Sequence, residues 1–288
     1  MVTPSADGID ALHLRYGDIM AKLQDMFDVT RKSVIVTGGA SGIGRGCAEI
    51  MAEHGARVCI LDVDAAGIDA TVSDLGGETW GQVADVTDRS GLASAFSAVA
   101  ARQGGIDVVF ANAGIDAGPG FMDVQGQRNA DGHIENFGDT HWDRVIDVNL
   151  TGVYNTVKLA AIHMKPSGSG RIIVTSSVAS QINEAIVGTP YMAAKAGVDH
   201  FVRNMAMELG AFGILINCIN PGPFMTNIAG GRLKNPDDRA AFEAQSLIGR
   251  IGTLEDIKGL ALYLASPASS YMTGAQIVID GGSRLRIT

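Results

Sequence analysis

The chain has 288 residues, 46% hydrophobic, 6% aromatic and 18% charged, a length that fits one α/β domain with a core large enough to need no disulfide or metal staple. Lys and Arg number 22 against 31 Asp and Glu, a net charge of −9, which argues against binding a phosphate backbone, so no nucleic-acid partner is expected. Three widely spaced cysteines, Cys47, Cys59 and Cys218, form no CxxC pair, as expected of buried thiols in a reducing, cytoplasmic setting. The opening MVTPSADGID carries two Asp and no cationic lead into an apolar run, so no signal peptide is expected. No run of about 18 apolar residues exists either, so no membrane partner is expected.

Residues 1–28 are read as an N-terminal extension. Within it Leu12, Tyr16, Ile19, Leu23 and Met26 recur at helical spacing, which predicts a short amphipathic helix over 11–27. From Ser33 a regular pattern begins. SVIVT (33–37) is a buried strand, followed by a glycine-rich turn and a helix running to Arg57. VCILD (58–62), DVVFAN (107–112), RIIVTSS (171–177), LINCINPG (215–222) and AQIVIDGG (275–282) are further strands, with helical patterns over 142–164 and 191–209 between them. Short apolar strands alternating with helices predict a doubly wound parallel sheet, covered on both faces and joined by right-handed crossovers. Residues 29–288 are expected to form this single domain.

One stretch breaks the rhythm. Residues 115–140 are rich in Gly, Asp and Asn, and they follow the carboxyl end of a strand, where open α/β sheets bind ligands. This loop is expected to act as a lid over a substrate. Its Arg128, His133 and Glu135 are candidate substrate ligands, with solvated loop polarity as the plainer reading.

Thr37-Gly-Gly-Ala-Ser-Gly-Ile-Gly44 lies between the first strand and its helix. Glycines at 38, 42 and 44 let backbone N–H groups approach a pyrophosphate drawn to the helix N-terminus. Alone, such a turn is equally a tight strand-to-helix connection. Asp62, ending the second strand 18 residues after Gly44, adds a carboxylate where both adenosine ribose hydroxyls can be bound. It would repel a 2′-phosphate, and neither Ser41 nor Val63 supplies a cation to offset this, so NAD is favoured over NADP. The six histidines form no HxH or HxxxH cluster, and no metal is expected. Tyr191 and Lys195 are four apart on a predicted helix and share a face. An ammonium beside a phenol stabilises the phenolate and turns it into a usable acid or base.

TGGASGIG, Asp62, Asp85-Val86, Asn112-Ala113-Gly114, Asn149, Ser177, Tyr191-Met-Ala-Ala-Lys195 and Pro221-Gly222 occur in this order. Together, over about residues 29–282, they resemble the ordinary, single-domain short-chain dehydrogenase/reductase family. The resemblance implies a Rossmann-type fold and hydride transfer between NAD and the carbinol carbon of a secondary alcohol, with the ketone as the other partner. It implies Asn149, Ser177, Tyr191 and Lys195 as the catalytic set, Asn149 holding a water near Lys195. Aligning Ser-Val-Ala after the strand selects Ser177 over Ser176, leaving 14 residues to Tyr191, one more than the family pattern leads one to expect. The cofactor would lie on Gly38, Ser41, Gly42, Ile43, Gly44 and Asp62, with Asp85 and Val86 flanking the adenine and Asn112 to Gly114 along the adenosine. Tyr191, Lys195, Pro221 and Gly222 would complete it, with the Phe224 backbone and Thr226 hydroxyl on the carboxamide, although Pro-Gly-Pro is also simply a rigid turn. A homotetramer is implied, paired through the helices at 142–164 and 191–209. A non-catalytic dinucleotide sensor and an NADP-linked 3-ketoacyl reductase are the competing readings. The full catalytic set opposes the first and Asp62 the second.

Overall fold

The computed structural model describes residues 19–285, apart from 124, 227, 229–232 and 234. Residues 19–26 are helical; the first part of the helix expected over 11–27 lies outside the described residues.

The strands are β1 (Ser33–Thr37), β2 (Arg57–Asp62), β3 (Trp80–Val83), β4 (Val108–Ala111), β5 (Gly170–Thr175), β6 (Ile214–Pro221) and β7 (Gln276–Ile279). They form one sheet in the order β3-β2-β1-β4-β5-β6-β7, every neighbouring pair parallel. The helices are α1 (Gly42–Glu53), α2 (Ala65–Leu75), α3 (Arg89–Gln103), α4 (Asp139–Ile146), α5 (Gly152–Met164), α6 (Thr189–Leu209), α7 (Pro236–Glu243) and α8 (Leu254–Ala265). A parallel sheet buried on both faces needs apolar side chains at successive positions, and β1 and β4 are buried throughout. Strand geometry then sorts them alternately. Ile35, Cys59, Val109 and Ile172 meet Phe96 of α3, Val153 of α5 and Val198 of α6 on one face. Val34, Val36, Ile60 and Phe110 meet Met51 of α1 and Leu264 of α8 on the other. The three cysteines are buried and free.

The helix expected to run to Arg57 ends at Glu53, with Arg57 opening β2, and two further elements depart from the sequence pattern. The helix predicted over 142–164 starts at Asp139 and is interrupted by a π-turn over Asp147–Thr151 that separates α4 from α5. The edge strand β3 carries too weak a pattern to be read beforehand. It is four residues long, and its Gly81 leaves room for the Ile68 side chain of α2.

The long loop is folded against a second loop. Pro119 pairs antiparallel with Val187, Met122 with Arg128, and the Met122 amide donates to the Ala185 carbonyl at 3.0 Å. Gly120 lies directly on the backbone of Ala185 and Ile186, and Gly188 directly on the carbonyl of Ala117.

Candidate active site

The carboxyl ends of β1 to β6 open onto one cleft of about 830 Å³, within the usual range of ligand pockets. The order of strands reverses between β1 and β4, which is where an open sheet leaves a crevice. Ser41 caps α1 without a side-chain hydrogen bond, so the first N–H groups of the helix face the cleft with no acidic residue in the first turn. Such unspent donors suit a pyrophosphate. Gly38 adopts φ +65°, and a Cβ there would come within 2.7 Å of the Ala113 Cα.

The turn is braced from beneath. The Thr37 hydroxyl donates to the Phe110 carbonyl at 3.2 Å and accepts from the amides of Asn112 and Ala113. The Asn112 amide donates to the Gly38 carbonyl at 3.1 Å and accepts from the Thr175 hydroxyl at 3.0 Å. Asn112 thus ties β1, β4 and β5 together. Sequence reasoning missed Thr37 and Thr175, because nothing in their spacing announces a brace made across three strands.

Among the expected cofactor contacts, Gly38, Ser41, Gly42, Ile43, Asp62, Asp85, Val86, Asn112, Gly114, Tyr191, Lys195, Pro221, Gly222, Phe224 and Thr226 line the cleft. Gly44 does not. It is buried behind the wall, where a Cβ would overlap the Gly38 carbonyl and the Asn112 amide nitrogen. Gly44→Ala is therefore expected to force the turn apart at a cost of about 3 kcal/mol. A melting temperature lower by roughly 10 °C, read by thermal unfolding, is the corresponding shift; an unchanged value would show that the turn relaxes freely.

Asp62 ends β2 and accepts the amides of Ala40 at 3.0 Å and Asp64 at 3.1 Å. Asp85 closes the turn after β3 by accepting the Thr87 amide and hydroxyl. The side chain of Thr226 stands over Gly42, and its hydroxyl accepts the Ile228 amide at 3.3 Å. The cleft wall also includes Thr140, Asp143, Arg144 and Asp147, which sequence pattern could not assign because the inward face of α4 is set by packing. Arg128, His133 and Glu135 do not line it. Arg128 lies over the Phe121 ring, and His133 is 3.7 Å from Glu135.

Three strands away from Asp62, roughly 14 Å at ordinary strand spacing, four side chains converge. Asn149 sits on the π-turn, fully buried, accepting the Ile115 amide at 3.1 Å and donating to its carbonyl at 3.2 Å. A π-turn of this kind marks functional positions in many helices. Lys195 is buried and donates to the Thr175 carbonyl at 2.8 Å, with its nitrogen 5.4 Å from the centre of the Tyr191 ring. Ser176 spends its hydroxyl on the Lys195 carbonyl at 3.3 Å, whereas Ser177 hydrogen-bonds Tyr191.

Here the expected lowering of the Tyr191 pKa is corrected. Burial pushes the phenol up to about 12; the Ser177 hydrogen bond pulls it down, and the charges of Glu184 and Asp116 raise it further. Burial also brings the Lys195 amine down to about 8, against the opposing influence of Cys218 and Asp199. The physical reason is that both groups lose water on entering the wall, and desolvation disfavours each charged form. The ammonium contacts a carbonyl and not the phenol oxygen. Among the described residues, no group of three His, Cys, Asp or Glu side chains is gathered to hold a metal, and no helix is long and apolar enough to cross a membrane.

Comparison with known proteins agrees with this architecture. A family model described as enoyl-(acyl carrier protein) reductase matches residues 38–284. An uncharacterized short-chain type dehydrogenase/reductase, y4mP, of Sinorhizobium fredii is 37% identical, the match covering 87% of this chain and 96% of that one. The (+)-borneol dehydrogenase 1 of Salvia officinalis is 34% identical over 87% of this chain and 93% of its own. The crystal structure of gox2181 superposes with a TM-score of 0.82 at 29% identity, covering 91% of this chain and 99% of that one. With its seven-stranded parallel sheet and these relatives, the chain belongs to the short-chain dehydrogenase/reductase family of oxidoreductases.

Proposed function

We propose that the protein is an NAD-dependent dehydrogenase that interconverts a secondary alcohol, polyol or other hydroxy compound with its ketone. The observation that carries this reading is the meeting of Asn149, Ser177, Tyr191 and Lys195 on one side of a cleft that Asp62 lines from three strands away. Tyr191 exchanges the hydroxyl proton of the substrate, and Ser177 hydrogen-bonds the same oxygen. Lys195 holds positive charge behind the phenol. Asn149, with one lone pair and one N–H left after bonding Ile115, holds a water that links Lys195 to solvent. The bound nicotinamide would supply the hydride acceptor or donor and, when oxidised, a positive charge that favours the phenolate. The unspent N–H groups of α1 would hold the pyrophosphate, and Asp62 would take the adenosine ribose hydroxyls and so favour NAD.

Tyr154, Ile162 and Met207 leave apolar surface exposed on α5 and α6, which supports assembly into a homotetramer. The free thiols support a cytoplasmic location. NADH formation across secondary alcohols, vicinal diols, polyols, hydroxy acids and hydroxysteroids, with NADP in parallel and Tyr191→Phe as blank, tests the reading. Silence throughout, with NAD still raising the melting temperature, would favour a sensor.

Ile115 and Asp116 line the cleft, while residues 117–122 lie against residues 185–188. Replacing residues 121–131 with a short linker is expected to change the kcat/KM ratio between two alcohols about tenfold or more. The KM for NAD stays within about twofold, since none of the described residues of 121–131 lines the cleft. Equal ratios before and after would remove the loop from substrate selection.

A further inference from the structure

We propose that Asp199, a buried carboxylate one helical turn beyond Lys195, is a positioning residue for the proton relay: it anchors the Ser177 turn and keeps the Lys195 amine charged. The inference rests on the roles assigned above to Ser177 and Lys195. Asp199 is 5% exposed, and among the described residues it forms no ion pair with a Lys or Arg. Burying a carboxylate costs several kcal/mol unless hydrogen bonds and a nearby cation offset it.

The hydrogen bonds are present. Ser180 donates its hydroxyl to Asp199 at 2.6 Å, and the Asn220 amide nitrogen lies 2.9 and 3.1 Å from its two oxygens. The same Asn220 nitrogen donates to the Ser177 carbonyl at 3.0 Å. Asn220 is fully buried, yet its amide oxygen has no partner. An unpartnered buried oxygen is destabilising, so this amide is held for the sake of its donor end. That end bridges Asp199 to the backbone of Ser177, whose own hydroxyl accepts the Ala179 amide at 3.1 Å.

The cation lies on the same helix face. Residues four apart are neighbours on a helix, which puts Lys195 on one side of Asp199 and Arg203 on the other. Arg203 is engaged with Gln276 and His200, each at 3.1 Å. The titratable groups around Lys195 are Tyr191 and Asp199 on α6 and Cys218 on β6, while Asp116 and Glu184 act on the Tyr191 phenol from the loops. Burial, with Asp199 adding to it, keeps the Cys218 thiol well above the ordinary range. The thiol is therefore neutral where Lys195 titrates, and Asp199 supplies the standing negative charge.

Asp199→Asn keeps the volume and an acceptor but removes the charge. The alkaline limb of kcat/KM, where Lys195 loses its proton, is expected to move to lower pH by about one unit. The Cε resonance of selectively labelled lysine, assigned by its absence in Lys195→Arg, is expected to titrate lower by the same amount. Asn220→Ala leaves the charge in place and removes the amide bridge to Ser177, leaving only the single hydroxyl of Ser180 between the two, so kcat falls about tenfold with the limb unmoved. Coincidence of both titrations with wild type in Asp199→Asn overturns the charge role. Unchanged kcat in Asn220→Ala overturns the anchoring role, and this arm stands even where Asp199→Asn does not fold. The lysine titration needs no substrate, so a lower value in Asp199→Asn supports the inference even when no alcohol is turned over and the dehydrogenase reading falls.

Discussion

Tyr191→Phe is expected to lower kcat/KM by about a thousandfold, within the range that general acid–base catalysis contributes. NAD-induced thermal stabilisation would survive nearly intact. The variant removes one oxygen from a half-buried ring whose polar contact is the Ser177 hydrogen bond, and it leaves the glycine turn, Asp62 and the Asn112 brace untouched. Burial pushes the phenol up to about 12, so near neutrality it carries its proton and is poised as an acid toward a ketone. Alcohol oxidation needs the phenolate, and wild-type oxidation is expected to accelerate as pH rises toward neutrality and beyond. The residual rate of the variant would lose that dependence, since the titrating group is gone. Turnover within tenfold of wild type, with the slope retained, would take the proton transfer away from Tyr191. Steady-state kinetics from slightly acid to moderately alkaline pH, in both directions, decides the matter.

Asp62→Ala is expected to raise the KM for NAD by about 10- to 100-fold, the equivalent of one or two hydrogen bonds to a charged acceptor. The NAD-to-NADP preference would shrink by at least as much, because the carboxylate that repels a 2′-phosphate is lost. This position also supports the turn, through the Ala40 and Asp64 amides, so alanine mixes recognition with local loosening. Asp62→Asn separates them. It keeps an acceptor for either amide and removes the charge, so it is expected to gain NADP turnover with a smaller loss for NAD. An NADP preference unchanged in both variants would show that the ribose is held by another group.

Much of this architecture could be read from residue patterns because its signals are local. β1 and β4 are continuous apolar runs, the turn between β1 and α1 needs glycine, and Tyr191 and Lys195 share a helix face by spacing alone. The features that escaped reading are made by contacts between distant segments. The π-turn at Asp147–Thr151 accompanies the hydrogen bonds of Asn149 to Ile115, 34 residues away, whereas the local pattern reads as one unbroken helix. β3 is short, lies at the edge and contains a glycine that owes its place to Ile68 of α2. Gly44 was legible as part of the motif, but its position behind the wall follows from the Gly38 carbonyl and Asn112. The upward direction at Tyr191 also rests on a tertiary fact, since burial is its largest cause and the Lys195 amine bonds the Thr175 carbonyl.

The seam between residues 117–122 and 185–188 has an evolutionary consequence. Gly120 and Gly188 leave no room for a side chain between the two backbones, and Met122 and Ala185 are joined amide to carbonyl. Each loop is thus the mould of the other, and a change of shape in one demands a matching change in its neighbour. Grafting both segments together into a related scaffold would carry the seam across intact, whereas grafting either alone would set a foreign side chain against backbone. Selection for a new substrate would therefore act on the two as a single inherited unit, while the sheet and its glycine turn stay fixed beneath them.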